Sequence, residues 1–337
     1  MADAFDPVRF DGDLAMLDSS PPLHRSGRLS DTRQSPFFEN DRHRRTAIEA
    51  IRAGRIALKY AYAGSAAYTH DAYARSDDYL AMLVSARQEA EALLGSGILD
   101  PTATTIAEIG PGNGRRSGAF LARLADGGRP CRRYLALDFS ATLLSLACAR
   151  LTHSAGAAMT VDARLWDIEC GSSDQVERWR PADGPVVSCL LGHTLGNVDS
   201  PAAALGNIHA GLRPGDVLLV SVLLRCDEGT ATTLAPYRSQ AFRAAALEPL
   251  LAAGIAEADL EFDLSFHDGV VTGAAVLERE VVVDGACLPA GHRIHCFQSR
   301  RFSCSDVTGA VAQAGWHVRD VVTEPGGVHL VVTATRG

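Results

Sequence analysis

Between residues 104 and 224 the chain repeats one unit, a short run of apolar, β-branched residues followed by a helical stretch. The runs fall at 104–109, 134–138, 159–165, 186–191 and 217–224, with helical stretches at 118–125, 141–149 and 202–212 among them. Strands that are apolar along their whole length are buried on both faces, and strands alternating with helices join in parallel. A parallel sheet covered by helices on both sides is the predicted core. With 337 residues there is room for one such domain and an accessory lobe.

Outside that region the pattern changes. Residues 1–38, rich in Asp, Ser, Pro and Arg without periodicity, read as a loosely ordered arm. Residues 39–100 read as the helical part of an accessory lobe, with one helix from Asp41 to near Tyr60 and another over 78–94. The Gly-punctuated aromatic segment 60–68 reads as a buried loop. Residues 226–252 are helical in pattern, and 260–302 read as strands around turns at 267–269, 284–285 and 290–291, together forming an inserted lobe over 226–302. Residues 303–337 then return to the main sheet through a helix (305–314) and a hairpin (316–323 and 328–333). The expected domain is therefore 101–225 plus 303–337, closed by an antiparallel terminal strand.

Composition excludes several function classes. The net charge of −8, with no basic block beyond Arg42–Arg45, disfavours a nucleic-acid partner, which needs concentrated cationic surface. The Arg42, His43, Arg44, Arg45 cluster reads as the solvated start of a helix. The longest apolar stretch, 217–224, is far too short to span a bilayer, and the acidic N-terminus does not resemble a signal peptide. Eight scattered cysteines, without a C-x-x-C pair, read as reduced thiols in a cytoplasmic protein. No metal site is expected. His292 and His295, three apart on a strand, face opposite sides, and neither they nor His267 find further ligands at fixed spacing.

The chemistry is read from the glycine loop Gly110-Pro111-Gly112-Asn113-Gly114, which follows a predicted strand and precedes a helix. There the backbone can approach a ligand where a Cβ would collide. The spacing departs from the dinucleotide fingerprint, because Arg115 stands where a third glycine would be required. Asp138 ends the next strand, where a carboxylate can reach ribose hydroxyls. Asp167 and Ile168 follow the third, placed for an adenine amine and an apolar wall.

These residues, with several downstream, resemble the histidine-specific S-adenosylmethionine-dependent methyltransferase family over most of 45–335. The resemblance rests on Tyr60-x-x-x-Gly64-Ser65-x-x-Tyr68, Glu108-Ile109-Gly110-x-Gly112, Asp138-Phe139-Ser140 and Gly192-His193-Thr194-Leu195-Gly196-Asn197. It continues through Leu212-x-Pro214-Gly215-Asp216, Tyr237 and the segment 294–302. It implies a Rossmann-like class I methyltransferase sheet with a smaller α+β substrate lobe, and S-adenosylmethionine as cofactor with S-adenosylhomocysteine as product. By position, Tyr60, Gly110, Gly112, Gly114, Arg116 (a lysine in the family pattern), Asp138, Asp167 and Ile168 contact the cofactor. Tyr68, Tyr79, Asn197, Tyr237, Phe297 and Ser299 line the substrate site.

One departure bears on the substrate. Where the family carries a Glu-x-Ser pair that clamps an imidazole, this chain reads Phe297-Gln298-Ser299. A site designed around a hydrogen bond rejects strongly when that partner is missing. The expected reaction is methyl transfer to the amine of an amino acid or amino-acid-derived metabolite other than histidine. The alternative is carboxylate O- or C-methylation, or another displacement at the sulfonium. Asn197 and the Tyr60 hydroxyl are expected to orient the amine, and His193 to accept its proton. The expected partner is a small amino-acid-like molecule, with no membrane or nucleic acid, and the family implies a monomer.

Overall fold

The computed structural model describes residues 37–74, 80–99, 104–181, 184–225, 230–324 and 326–337. The expected arm therefore lies outside the described residues except for Phe37 and Phe38, and so does Tyr79. Helix α1 (Asp41–Arg52) begins at Asn40, whose side chain accepts from the His43 N–H. Its apolar stripe, Ala47, Ile48 and Ile51, is buried. The predicted continuation to Tyr60 does not form. Gly54 takes φ +75°, and a Cβ there would stand 2.9 Å from the Arg293 carbonyl. The chain instead docks on a strand, with Ile56 N–H donating to His295 O at 2.8 Å and His295 N–H to Gly54 O at 2.9 Å. Segment 60–68 is also not a loop. It forms a 3-10 turn (Leu58–Tyr62) and helix α2 (Ser65–Tyr73), and the Ser65 and Thr69 hydroxyls donate to Glu248 at 2.6 and 3.0 Å.

After α3 (Leu80–Gly95) the alternation runs as expected through β1 (Thr104–Ile109), α4 (Arg115–Asp126), β2 (Cys131–Asp138), α5 (Ala141–Ala155) and β3 (Thr160–Leu165). It proceeds with α6 (Gln175–Trp179), β4 (Val187–Leu190), α7 (Thr194–Asn197), α8 (Pro201–Ala210) and β5 (Val217–Leu223). Serine caps start α5 and α8, each side chain accepting from the N–H three residues on. Every residue of β1 is buried, whereas β3 at the sheet edge is half exposed.

Next come α9 (Thr230–Leu234), α10 (Gln240–Ala252), β6 (Leu260–His267), β7 (Val270–Leu277), β8 (Val281–Val283), β9 (Ala286–Leu288) and β10 (Arg293–Arg300). Helix α11 (Cys304–Gln313), β11 (Trp316–Thr323) and β12 (His329–Arg336) complete the chain. The main sheet has the order β11-β12-β5-β4-β1-β2-β3, and its last strand in sequence, β12, pairs antiparallel with both β5 and β11. The terminal strand thus lies inside the sheet, with β11 at the edge. A second, antiparallel sheet β10-β7-β6 packs with α1 and α10 around a core of its own.

The Pro214-Gly215-Asp216 turn has a structural job. The buried Asp216 carboxylate takes a buried ion pair from Arg180 and accepts from Val186 N–H at 2.9 Å and Arg213 N–H at 2.7 Å. Its carbonyl accepts from Arg336 N–H at 2.9 Å, so one residue joins the starts of β4 and β5 to the end of β12. No described helix is long and apolar enough to cross a membrane.

Candidate active site

At the C-terminal ends of β1, β2, β3 and β4 the parallel sheet presents four loops to one crevice, where open α/β sheets bind ligands. Gly110, Gly112 and Gly114 have φ of +72°, +58° and +77°, conformations that favour glycine. Gly114 lies so close to α5 that a Cβ would be 2.8 Å from Ala147 Cα. The loop is held from the side by α2. The buried Asn113 amide donates to Asp71 Oδ1 at 2.8 Å, Arg150 donates to the same carboxylate at 3.1 Å, and Arg150 also reaches the Asn113 carbonyl.

Asp138 is buried at the end of β2 and accepts from Ser140 N–H at 3.0 Å. Burial pushes its carboxyl up to about 7, against the opposing backbone N–H bonds from Ser140, Gly112 and Phe139. Glycine loop and carboxylate are therefore in direct contact. After β3, Asp167 accepts from Glu169 N–H at 3.0 Å and from Lys59 Nζ at 2.7 Å. Burial alone would raise this carboxyl, but Lys59 outweighs it and holds Asp167 below the usual range. Ile168 is buried in the main core. Tyr60, beside Lys59, is half-buried and stacks on His43 with ring centres 5.3 Å apart.

Arg116 leaves the first turn of α4 for the interior, where it forms an ion pair with the fully buried Glu89 of α3. Among the described residues its Nε and Nη1 have no hydrogen-bond partner. Positive-φ glycines, a buried carboxylate beside the loop and a buried guanidinium with unpartnered nitrogens together fit a nucleotide cofactor that carries an anionic tail.

Beyond β4, His193 adopts a left-handed φ of +69°. Its ring needs Gly196, where a Cβ would lie 2.3 Å from the imidazole. Nδ1 accepts from Leu223 N–H at 3.0 Å, so the ring proton sits on Nε2, which faces Ser299 Oγ at 3.1 Å. Tyr237 O–H donates to the same Oγ at 2.8 Å. Burial, with Arg301, His329 and Arg116 nearby, lowers His193 to about 3. His193 is poorly disposed to accept a proton, because its Nδ1 lone pair is committed to the Leu223 N–H and burial opposes the cation. Asn197, last in α7 and half-buried, has no side-chain hydrogen bond among the described residues.

Phe297 does not face an open pocket. It is 1% exposed, stacked on Tyr237 at 5.5 Å with the planes 16° apart, with Phe242 edge-on at 4.8 Å. Gly273, its cross-strand partner on β7, makes room, since a Cβ there would lie 2.0 Å from the Phe297 ring. The structure thus brings together Tyr237, Phe297, Ser299 and His193 in one group, and Gly110–Gly114 with Asp138 in another. Tyr68 is 51% exposed on α2 and shares no ring contact or hydrogen bond with the Tyr237 group among the described interactions.

Sequence reasoning missed Glu89, Asp71, Lys59 and Gly273. Two carried a signal. Glu89 lies on the face of α3 that also carries Leu83, Ala86, Ala90 and Leu93, and a charge on an apolar stripe needs a partner. Gly273, isolated inside a strand pattern, marks a close approach.

Comparison with known proteins bears on the family. The model of the histidine-specific, SAM-dependent methyltransferase family matches residues 69–253. Among curated proteins no relative matches. Similar solved structures include an amino pentose methyltransferase from Micromonospora echinaspora involved in calicheamicin biosynthesis, at 16% identity over 75% of this chain and 92% of that one, with a TM-score of 0.38. DesVI of Streptomyces venezuelae is 15% identical over 80% of this chain and 97% of its own, with a TM-score of 0.39. The mitomycin 7-O-methyltransferase MmcR is 18% identical over 87% and 67%, with a TM-score of 0.45. With its Rossmann-like class I sheet and a family match across more than half its length, the chain belongs to the histidine-specific family of S-adenosylmethionine-dependent methyltransferases.

Proposed function

We propose that the enzyme methylates the amine of an amino acid, or of a metabolite derived from one, other than histidine. The observation that carries this reading is Phe297. At the position where the family resemblance calls for an imidazole-clamping carboxylate, a ring lies flat on Tyr237 and closed off from solvent. Ser299, two residues on, keeps its bonds to Tyr237 and His193. An imidazole N–H entering there meets no carboxylate, and an unpaired buried donor costs about 1–3 kcal/mol.

When bound, S-adenosylmethionine supplies a methyl group on a sulfonium that a lone pair displaces in line. The chain's own residues bind and orient. Gly110, Gly112 and Gly114 admit the cofactor's backbone-close portion, Asp138 accepts from ribose hydroxyls, and Asp167 with Ile168 takes the adenine edge and face. Arg116 meets the carboxylate end. Asn197 and Tyr60 hold the acceptor amine, and Tyr60 and Tyr237 offer ring faces to cationic groups. His193 is a positioning residue. Its Nε2–H and the Tyr237 O–H both donate to Ser299, which leaves the serine's own proton to donate toward the acceptor.

Incubation with methyl-labelled cofactor and a panel of aliphatic and aromatic amino acids, histidine included, tests the proposal. The expected product carries the label on the amine of an acceptor other than histidine. Histidine as the preferred acceptor, or label on a carboxylate oxygen or a carbon, refutes it.

A further inference from the structure

The ion pair between Glu89 and Arg116 is built in a way that a purely structural pair is not. Glu89 is 0% exposed and Arg116 nearly so. Desolvating two charges costs more than their attraction returns unless the remaining lone pairs and protons are also satisfied. Here they are not. Glu89 Oε2 lacks a partner, and so do Arg116 Nε and Nη1, among the described residues. The other halves are fixed. Glu89 Oε1 takes the Arg116 guanidinium and lies 3.4 Å from the Gly192 N–H, while Arg116 Nη2 reaches Ser85 Oγ at 3.4 Å.

The pair sits at the site's edge and not in a remote core. Arg116 is the second residue of α4, two positions after Gly114, and its Nη1 lies against Gly192 so closely that a Cβ there would be 2.0 Å away. Gly192 follows β4, and the Gly192 N–H also donates to Ser221 Oγ at 3.0 Å. The open valences are one anionic acceptor and two cationic donors, next to one another, between the glycine loop and the end of β4. A ligand that complements both at once carries an ammonium and a carboxylate on neighbouring atoms, which is the chemistry of an α-amino acid.

We infer that Glu89 and Arg116 form a zwitterion clamp for the amino-acid end of the cofactor, with Glu89 Oε2 accepting from the α-ammonium and Arg116 donating to the α-carboxylate. This rests on the reading of the glycine loop as the cofactor site. It assigns Glu89, on α3 and 21 positions before Gly110, as a binding residue. An acceptor amino acid has the same zwitterion, and the clamp's contact with the glycine loop favours the cofactor.

Calorimetry with two probes separates the possibilities. S-adenosylhomocysteine has the amino-acid end, and 5′-methylthioadenosine shares its nucleoside and thioether but lacks that end. In Glu89→Gln the affinity for S-adenosylhomocysteine is expected to fall at least 10-fold, with 5′-methylthioadenosine unchanged within about 2-fold. Glu89→Asp, which keeps the charge and withdraws it by one methylene, is expected to show a smaller loss on the same probe alone and serves where the glutamine variant does not fold. Equal losses on both probes, or no loss on either, overturn the inference. So does a Glu89 dependence confined to free amino-acid acceptors. Failure of the wild-type protein to bind either probe refutes the cofactor reading itself, and is thereby distinguishable from failure of the clamp.

Discussion

Gly273 and Phe297 are predicted to behave as one unit. A Cβ added at Gly273 would meet three atoms of the Phe297 ring at 2.0, 2.6 and 2.9 Å. The ring cannot swing away, because Tyr237 lies on its face, Phe242 meets it edge-on, and Phe262 stacks at 6.4 Å. Gly273→Ala is therefore an overpacking change, with an expected cost of about 1–3 kcal/mol. Phe297→Ala removes a buried ring and is expected to cost about 3–5 kcal/mol. In the double variant the alanine methyl enters space the ring has vacated, so Gly273→Ala becomes neutral or stabilising in that background. The coupling should reach about 1–3 kcal/mol, as for residues in direct contact. Urea unfolding of the wild type, both single variants and the double variant measures it. Additivity within about 0.5 kcal/mol would falsify the argument that the glycine exists to admit the ring. The same pair bears on activity, since Phe297 supports the Tyr237 ring whose hydroxyl reaches Ser299. Gly273→Ala should thus raise KM for the acceptor while leaving S-adenosylhomocysteine affinity unchanged.

Three further outcomes are expected. Asp71→Ala leaves the Asn113 amide and Arg150 without their shared acceptor, which should cost about 1–3 kcal/mol and loosen the glycine loop, seen as weaker S-adenosylhomocysteine binding by calorimetry. His193 is held well below its ordinary value, to about 3, so the folded state keeps the ring neutral while the unfolded chain takes up a proton below about pH 6.5. Its contribution to stability is present above pH 6.5 and is lost as pH falls toward 3. The stability advantage of the wild type over His193→Asn, measured by urea unfolding, should shrink by up to about 1.4 kcal/mol per pH unit across that window, and an advantage independent of pH would contradict the neutral assignment. Lys59→Met frees a half-buried Asp167 from its ammonium partner, and adenosine affinity should become less sensitive to added salt.

The parallel core was legible because strands buried on both faces leave continuous apolar runs, and β1 through β5 fall where those runs lie. The order of strands was not. The apolar pattern of 329–336 announces a strand but carries no record of which neighbours it pairs with, so its insertion between β5 and β11 had to be seen. Helix α1 was read too long because its stop comes from a contact across 239 residues, the close approach of Gly54 to the Arg293 carbonyl. Segment 60–68 was misread for a similar reason, since α2 is tied down by Glu248, a distant carboxylate that local propensity does not register. In the site, the glycines and Asp138 were readable from their place after strands. The state of His193 was not, because it depends on the Leu223 N–H and on Ser299, 30 and 106 positions away.

The position of β12 has a consequence for how the chain is made. Its eight residues, 329–336, are the last described strand to leave the ribosome, yet they occupy the gap between β5 and β11. Until they arrive, β5 presents an unpaired edge whose residues Val217–Val222 are all apolar but one, an invitation to strand pairing between nascent chains. Synthesis therefore runs a risk that the finished molecule no longer shows, and a truncation that removes residues 329–336 should reduce soluble yield although it alters no residue of the crevice.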